Sequence, residues 1–184
     1  EGETFLCSVL GWIDADHPKQ RGAGLANQLG SLVAQLHEHA MTWDIPDTFS
    51  RPDWTWERMY RMVVSDLEKG VQIGTISQPN LNAADSALQR TRSTMASHPT
   101  DRDSWGIIHS DLHFDNYLVG PENQVIPIDF SACRFGHYLL DFAEALRFIK
   151  PEYHSEFVSG YKQIRPKLFG LRDELETFWV IGKL

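Results

Sequence analysis

The sequence predicts an α+β fold that is mainly helical and contains one small β-hairpin. Several segments repeat apolar residues at the three- and four-residue spacing of an amphipathic helix. Residues 105–130 instead contain short apolar runs of strand length, and turn-forming residues separate the last two runs. With 184 residues and an apolar fraction of 42%, the chain suits one domain, or one lobe of a larger domain.

Residues 1–18 predict a strand followed by an irregular connector. The run from Thr4 to Leu10 is apolar and favours a strand, whereas residues 11–18 contain the Gly, Asp and Pro typical of turns. The sequence starts with Glu1 and contains neither a leader peptide nor a long apolar run. We therefore expect an excised piece of a longer chain, without a signal peptide or a transmembrane helix.

Three helices are predicted between residues 24 and 97. The first covers residues 24–41, and His37 and His39 near its end are expected to interact with the negative end of the helix dipole. The second helix follows an aromatic, proline-broken loop and has Asp53 as its candidate N-cap. The third is predicted from residue 81 or 82 to about residue 97.

Residues 105–130 place ionisable side chains between short apolar runs. Strands are predicted at Ile107–Ile108, Tyr117–Val119 and Val125–Ile128. The intervening segment Gly120–Asn123 is rich in turn formers, so the last two strands are expected to pair as a hairpin.

The predicted hairpin brings together Asn116, which precedes its first strand, and Asp129, which follows its second strand. Asp111 in the preceding loop can converge with both. Phosphoryl transfer needs a carboxylate that receives the proton of the attacking hydroxyl, and oxygen ligands that hold Mg²⁺ against the phosphates. Asp111 is therefore the candidate base, and Asn116 and Asp129 are the candidate Mg²⁺ ligands.

The segment from His109 to Asn116, followed by Ile128–Phe130, resembles the catalytic loop and metal-binding segment of the aminoglycoside phosphotransferase and choline kinase family. The family's loop has the pattern H-G-D-L-H-x-x-N, and five of its six signature positions match, with Ser110 at the glycine position. The resemblance implies the mainly helical C-terminal lobe of a protein-kinase-like phosphotransferase. It also implies transfer of the γ-phosphoryl group of ATP, with Mg²⁺, to a hydroxyl of an aminoglycoside, choline, homoserine, a sugar or a similar small molecule.

The same resemblance implies that residues 1–18 are the last strand of the N-terminal lobe and the hinge, and that residues 19–184 are the C-terminal lobe. Trp12 and Ile13 would then contact adenine, although Trp12 could equally be a packed surface aromatic. The phosphate-covering loop and the Lys–Glu pair of such kinases cannot be assigned in this sequence. We therefore expect the missing N-terminal lobe to be required in cis, and the chain alone to be inactive.

Residues after the central stretch are also interpreted through the resemblance. Residues 131–138 would be the short counterpart of an activation loop, and residues 139–149 an apolar helix. Asp141 in that helix would be costly to bury without partners. The resemblance implies that it accepts hydrogen bonds from the backbone of the catalytic loop. Two more helices are predicted at residues 152–164 and 168–184.

Two other functions remain open for the central stretch. Alternate residues on one strand would share a face, and such a face could bind Zn²⁺ in a metal-dependent hydrolase. The residues concerned are His109, Asp111, His113 and Asp115. Alternatively, the chain is a non-catalytic kinase-like module, a pseudoenzyme.

The composition narrows the set of partners. A formal net charge of −8 argues against nucleic acid, which requires basic patches, and is weakly compatible with a cationic substrate. The two cysteines are far apart in sequence and lack metal-binding spacing, which fits a reducing compartment. We expect a cytoplasmic protein that binds a small-molecule hydroxyl substrate and neither membrane nor nucleic acid.

Overall fold

The computed structural model describes residues 11–167 and 172–181. The predicted strand at residues 4–10 and the two ends of the predicted helix at 168–184 lie outside this part of the chain. The helices are α1 (Ala23–Thr42), α2 (Trp56–Gln72), α3 (Gln78–Ser97), α4 (Tyr138–Arg147), α5 (His154–Ile164) and α6 (Arg172–Ile181). The strands are β1 (Trp105–Ile108), β2 (Tyr117–Val119), β3 (Val125–Pro127) and β4 (Arg134–His137). The fold is therefore mainly helical α+β, as predicted.

The four strands form two small antiparallel sheets. Strands β2 and β3 pair as the predicted hairpin, with Tyr117 opposite Pro127. Strands β1 and β4 pair separately, with Trp105 opposite His137. Residues 131–138, which the resemblance identifies as the short counterpart of an activation loop, contain β4. This strand lies between β1 and the segment around Asp53, and Phe135 of β4 is bridged to Asp53.

Helix α4 joins two hydrophobic clusters. On one side, Phe142 packs with residues of α1 and α5 such as Val33 and Phe157. On the other side, Leu139 packs with residues of α2, α3 and α6. A helix that is apolar on nearly all sides belongs in the interior, and α4 follows this rule at all positions except Glu144 and Arg147. These two polar side chains mark the single partly exposed edge of the helix.

Helices α1 and α5 approach each other through glycine. A side chain at Gly30 would overlap the backbone carbonyl of Phe157, and one at Gly160 would overlap the carbonyl of Asn27. Side chains then bond across the contact, since Asn27 Nδ2 donates to Glu156 O at 3.2 Å and Ser31 Oγ donates to Gly160 O at 3.0 Å. The two backbones therefore pack directly against each other.

Two predicted helix starts were wrong. Thr55, and not Asp53, caps α2, because its hydroxyl accepts from the backbone N–H of Arg58 at 3.4 Å. Asp53 pairs instead with the guanidinium of Arg58 at 2.7 Å. Helix α3 starts three or four residues before the predicted position, since Ser77 is its N-cap and Pro79 lies in the first turn, where proline is tolerated. Among the described residues, no helix combines the length and apolar character needed to cross a membrane.

Candidate active site

The candidate catalytic loop, His109–Asn116, is held in place by a buried carboxylate. It follows β1, and the backbone N–H groups of His109 and Ser110 donate to the two oxygens of Asp141 at 2.7 and 2.6 Å. Asp141 is fully buried on α4, so these charge-assisted bonds compensate for the loss of water around it. The prediction that Asp141 accepts from the loop backbone is confirmed.

A buried histidine lies behind Asp141. His37 Nε2 is 3.6 Å from Asp141 Oδ2, and its Nδ1 shares a 2.9 Å hydrogen bond with the hydroxyl of Tyr161. The ring of Tyr138 stacks on the imidazole, with 4.5 Å between centroids. Burial lowers the pKa of His37, and the neighbouring carboxylate opposes that shift. The prediction of a dipole-stabilising His37 at the helix end was wrong, because this residue belongs to the interior.

Asp111 lies in the loop with its carboxylate 41% exposed. Asn116 Nδ2 donates to Asp111 Oδ2 at 2.9 Å and to the Asp111 carbonyl at 2.8 Å. His113 Nε2 is 3.5 Å from the other carboxylate oxygen. One oxygen of Asp111 is thus fixed by an amide donor, while the group as a whole remains open to solvent.

The segment before Asp129 is joined to the catalytic loop by two hydrogen bonds. Ile128 N–H donates to the carbonyl of Asn116 at 2.9 Å, and His109 Nε2 donates to the carbonyl of Ile128 at 2.9 Å. The hairpin therefore places Asn116 beside the strand end that leads to Asp129, as the sequence indicated. His109 has a bracing role, since its ring also contacts Phe130 at 4.6 Å between centroids.

Asp129 has an unusual backbone conformation and a carboxylate whose pKa is lowered. Its φ of 58° lies in the left-handed region, which Asp tolerates better than most residues. Its Oδ1 accepts from the backbone N–H of Ser131 at 3.2 Å. The hydrogen bonds from Ser131, together with the nearby His109 and His113, lower the pKa of Asp129.

Trp12 and Ile13 lie in the connector ahead of α1. The connector is paired with the hairpin, because Val119 N–H donates to Asp16 O at 2.7 Å. The side chain of Trp12 is 93% exposed, so it is not packed as a surface aromatic against the described residues. The connector therefore lies alongside the hairpin whose second strand leads to Asp129.

The geometry required for the hydrolase alternative is not found. Residues 109–113 form a loop and residues 114–116 a single 3₁₀ turn, so alternate side chains do not share one strand face. His109 is directed at Ile128, and Asp115 is 84% exposed. Within residues 11–167 and 172–181, no three His, Cys, Asp or Glu side chains are grouped so that they could bind a metal ion.

Two charged residues near Asp111 were missed from the sequence. Glu144 is one helical turn after Asp141, and burial together with Asp111 and Asp141 raises its pKa. Arg134 stacks over the ring of Trp54 at 4.3 Å and is also electrostatically coupled to Asp111. The helical spacing from Asp141 could have identified Glu144, whereas nothing in the sequence indicated Arg134.

Known proteins share this fold and family. Residues 2–172 match the model of the phosphotransferase enzyme family. The chain is 25% identical to a microcompartment-associated aminopropanol kinase, with a TM-score of 0.60. The alignment covers 89% of this chain and 55% of that one. None of the curated proteins matches the chain at a significant level.

Two more solved structures are similar in fold alone. The choline kinase of Cryptosporidium parvum has a TM-score of 0.70 at 14% identity, with 93% of this chain and 60% of that one covered. A spectinomycin phosphotransferase has a TM-score of 0.62 at 18% identity, with 94% and 56% covered. The chain thus spans little more than half the length of the structures that it matches. Because the family model covers most of the sequence, the chain belongs to the phosphotransferase enzyme family.

Proposed function

We propose that the protein containing this chain transfers the γ-phosphoryl group of ATP to a hydroxyl of a small molecule. The observation that supports this most directly is the hydrogen bonding between the segments that carry Asp111, Asn116 and Asp129. Asn116 bonds the carboxylate of Asp111 at 2.9 Å, and its carbonyl accepts from Ile128, the residue before Asp129. The proposed proton acceptor and the two residues that carry the proposed metal-binding oxygens therefore belong to hydrogen-bonded neighbouring segments. Phosphoryl transfer requires such positioning.

Asp111 is the proposed catalytic base. The Asn116 amide fixes one carboxylate oxygen, and the other, 3.5 Å from His113 Nε2, is the one proposed to meet an incoming hydroxyl. Its partial exposure leaves room for the acceptor, and the carboxylate then orients that hydroxyl and takes its proton as the phosphoryl group is transferred.

Asn116 and Asp129 are the proposed Mg²⁺ ligands. The Asn116 nitrogen makes the contacts to Asp111, so the carboxamide oxygen is left for a cation. Asp129 is exposed and has a lowered pKa, so it supplies a charged oxygen at neutral pH. Mg²⁺ keeps part of its shell for water and phosphate, and one carboxamide with one carboxylate fits that preference. When bound, the ion would neutralise charge on the ATP phosphates.

We propose that ATP also contacts the hinge and a further segment of the protein, in addition to Asp111, Asn116 and Asp129. Residues 1–18 are interpreted as the last N-lobe strand and the hinge, with Trp12 and Ile13 at the adenine, and residues 19–184 as the C-terminal lobe. Gly22 is the N-cap of α1 and is not flanked by two strands among the described residues, so we do not assign it to a phosphate-covering loop. We place that loop and the Lys–Glu pair in a further segment of the same protein, which is required in cis. The chain alone is therefore expected to have negligible turnover.

A small-molecule acceptor is supported by the names of the similar structures. They include an aminopropanol kinase, an amicoumacin kinase and a choline kinase. Aminopropanol, amicoumacin and choline are each small compared with a protein substrate. The acceptor class of this protein is proposed on that basis.

The proposed function is tested by Asp111→Asn in the complete protein, with Asp115→Asn as the matched control. ADP release is measured with ATP, Mg²⁺ and a panel of hydroxyl acceptors, and folding is checked by circular dichroism. Asp111→Asn should lower turnover at least about a hundredfold, the scale of a general base, while Asp115→Asn retains activity. Full activity of Asp111→Asn would exclude Asp111 as the base. If the unmodified complete protein binds ATP but transfers nothing to any acceptor, the non-catalytic module is the better assignment.

A further inference from the structure

A small cavity of about 90 Å³ lies between the start of α1, the 3₁₀ turn at residues 114–116 and the segment that follows α4. We call it the Tyr117 cavity. Most of its wall is apolar and comes from Leu25, Leu29, Phe114, Phe148 and Ile149. The described residues that line it do not include Asp111, Asn116 or Asp129, so it is separate from the proposed active site. An apolar cavity of about 150 Å³ holds benzene, so the Tyr117 cavity suits a smaller apolar body, of about four carbon atoms.

The hydroxyl of Tyr117 is a buried polar group without a partner. Tyr117 lines the cavity and belongs to the same buried cluster as Leu29 and Ile149. The residue is 1% exposed, and its hydroxyl has no hydrogen-bond partner within the described part of the chain. Burial raises the pKa of this phenol, so the hydroxyl keeps its proton and is available as a donor. Because an unpaired buried donor is costly, the hydroxyl calls for an acceptor from outside the described residues.

The start of α1 makes the same region attractive to an anion. Gly22, the N-cap of this 20-residue helix, lines the cavity, and the first turn has neither a side-chain cap nor an acidic residue. Uncapped N–H groups and the helix dipole both favour negative charge at such a terminus. Arg21 also lines the cavity, with its guanidinium carbon 3.6 Å from the centre of the Phe114 ring.

The charges around this region are only partly balanced. Arg21 takes part in no ion pair among residues 11–167 and 172–181, and it is electrostatically coupled to the Tyr117 hydroxyl. Lys150 is a second cation on the lining, and its distance from Glu152 is 3.9 Å. Asp115 is the acidic group coupled to the Tyr117 hydroxyl, but its carboxylate is 84% exposed, so water screens it. The cation, the helix start and the buried donor therefore favour one negative group.

We propose that the Tyr117 cavity binds a small branched monocarboxylate. Its carboxylate lies near Arg21 and the start of α1 and accepts a hydrogen bond from the Tyr117 hydroxyl, and its carbon skeleton packs against the apolar wall. The wall favours such a ligand over an inorganic anion, which has no apolar surface to bury. This site is additional to the proposed phosphotransferase function and does not depend on it. Phe114 and Tyr117 flank Asp115 and Asn116 in the sequence, so the ligand would contact both ends of the turn that carries Asn116.

The test measures binding of 3-methylbutanoate to the complete protein by saturation-transfer difference NMR. Binding should saturate, with a Kd on the order of 1 mM, as expected for a ligand of this size. Three competitors divide the ligand into its parts. The amide 3-methylbutanamide keeps the skeleton without the charge, acetate keeps the charge without the branched skeleton, and inorganic phosphate is an anion without carbon. Each should displace 3-methylbutanoate at least about tenfold less effectively than the unlabelled carboxylate itself.

Two variants with a matched control locate the site. Arg21→Gln and Tyr117→Phe should each raise the Kd for 3-methylbutanoate at least about fivefold. Lys19→Gln removes an exposed cation two residues before Arg21 that does not line this cavity, and it should change the Kd less than about twofold. Tyr117→Phe removes only an unpaired hydroxyl from the free protein, so its Tm without ligand should not fall. A folded variant with weaker binding therefore reports the hydrogen bond to the ligand.

Several outcomes would overturn the inference. One is the absence of saturable binding at concentrations up to about twenty times the expected Kd. Another is equal competition by the amide, by acetate or by phosphate, since the site would then not recognise a carboxylate together with a carbon skeleton. Binding that both Arg21→Gln and Tyr117→Phe leave unchanged would lie elsewhere on the protein. The proposed phosphotransferase function is judged separately, by the acceptor panel and Asp111→Asn.

Discussion

The carboxylate of Asp141 holds the turn that presents Asp111. Two backbone N–H groups donate to it, His37 lies next to it, and Tyr161 shares a hydrogen bond with His37. Ser110, which lies between His109 and Asp111, has φ = 67°. A residue with a Cβ adopts this conformation only under constraint. The two hydrogen bonds to Asp141 provide that constraint.

We therefore expect Asp141→Asn to destabilise the protein strongly. An amide replaces one acceptor oxygen with an NH₂ group that faces a backbone donor, and breaking a buried charged network costs about 3 kcal/mol or more. Urea denaturation of the variant should show a lower midpoint with an unchanged slope. Asp115→Asn, at an exposed position in the same loop, should stay within about 0.5 kcal/mol of the unmodified protein. Similar midpoints for both variants would contradict the role given to Asp141.

For single residues, the sequence indicated the candidate site in the loop and hairpin, but it did not indicate the buried residues that hold the loop in place. The order of Asp111, Asn116 and Asp129 along the chain indicated the candidate site, since a short hairpin limits where its flanking residues can go. His37 was placed at a helix end because sequence spacing does not reveal what packs against the last turn. Its partners Asp141 and Tyr161 are more than 100 residues away in sequence.

Among the elements, periodicity was sufficient for the helices and for the hairpin. It failed for β4, where Arg134, Phe135, Gly136 and His137 show no apolar run, because this strand is specified by pairing with β1 and not by its own residues. The start of α3 was also missed, since its first turn contains Pro79 and precedes the residues whose spacing predicted the helix. Local signals therefore predict an element best when the element is stabilised locally.

The contact between α1 and α5 gives a prediction with an internal control. Gly30→Ala introduces a Cβ that overlaps the carbonyl of Phe157, so the two helix backbones must separate. We expect a loss of about 3 kcal/mol, at the upper end of the cost of overpacking. Gly24→Ala, in the same helix but with nothing within 4 Å of its Cβ, should stabilise by about 0.5–1 kcal/mol. Thermal denaturation of the two variants should therefore shift in opposite directions, and a shift of equal sign would refute the close-packed contact.

Across the whole molecule, one aromatic cluster connects distant elements. His137 at the end of β4 contacts Trp105 of β1, His98 after α3 and Phe178 of α6, with ring centroids 4.7 to 5.4 Å apart. Burial lowers the pKa of His137 to about 4, and His98 adds to that shift. The folded protein therefore keeps this ring neutral in a pH range where an unfolded chain would protonate it.

The sign of the resulting pH dependence follows from linkage. Below its ordinary pKa of 6.5, His137 binds a proton in the unfolded chain but not in the folded protein, so the free energy of unfolding decreases as pH falls from 6.5 towards 4. The loss attributable to this residue is on the order of 3 kcal/mol. His137→Phe retains an aromatic ring but no titrating group, and its stability between pH 7 and pH 4 should decrease less. Parallel curves for the two proteins, measured by urea denaturation at each pH, would show that His137 does not contribute.

The direct contact between α1 and α5 also has a consequence for the time at which the molecule can form. The hydrogen bonds that close it join residues separated by 129 positions, so α1 is synthesised long before the surface it packs against. At roughly 5–20 residues per second, the ribosome needs on the order of ten seconds to add the intervening chain. During that interval the face of α1 that packs on α5 has no permanent partner, and the nascent chain is expected to depend on transient contacts there until α5 has emerged.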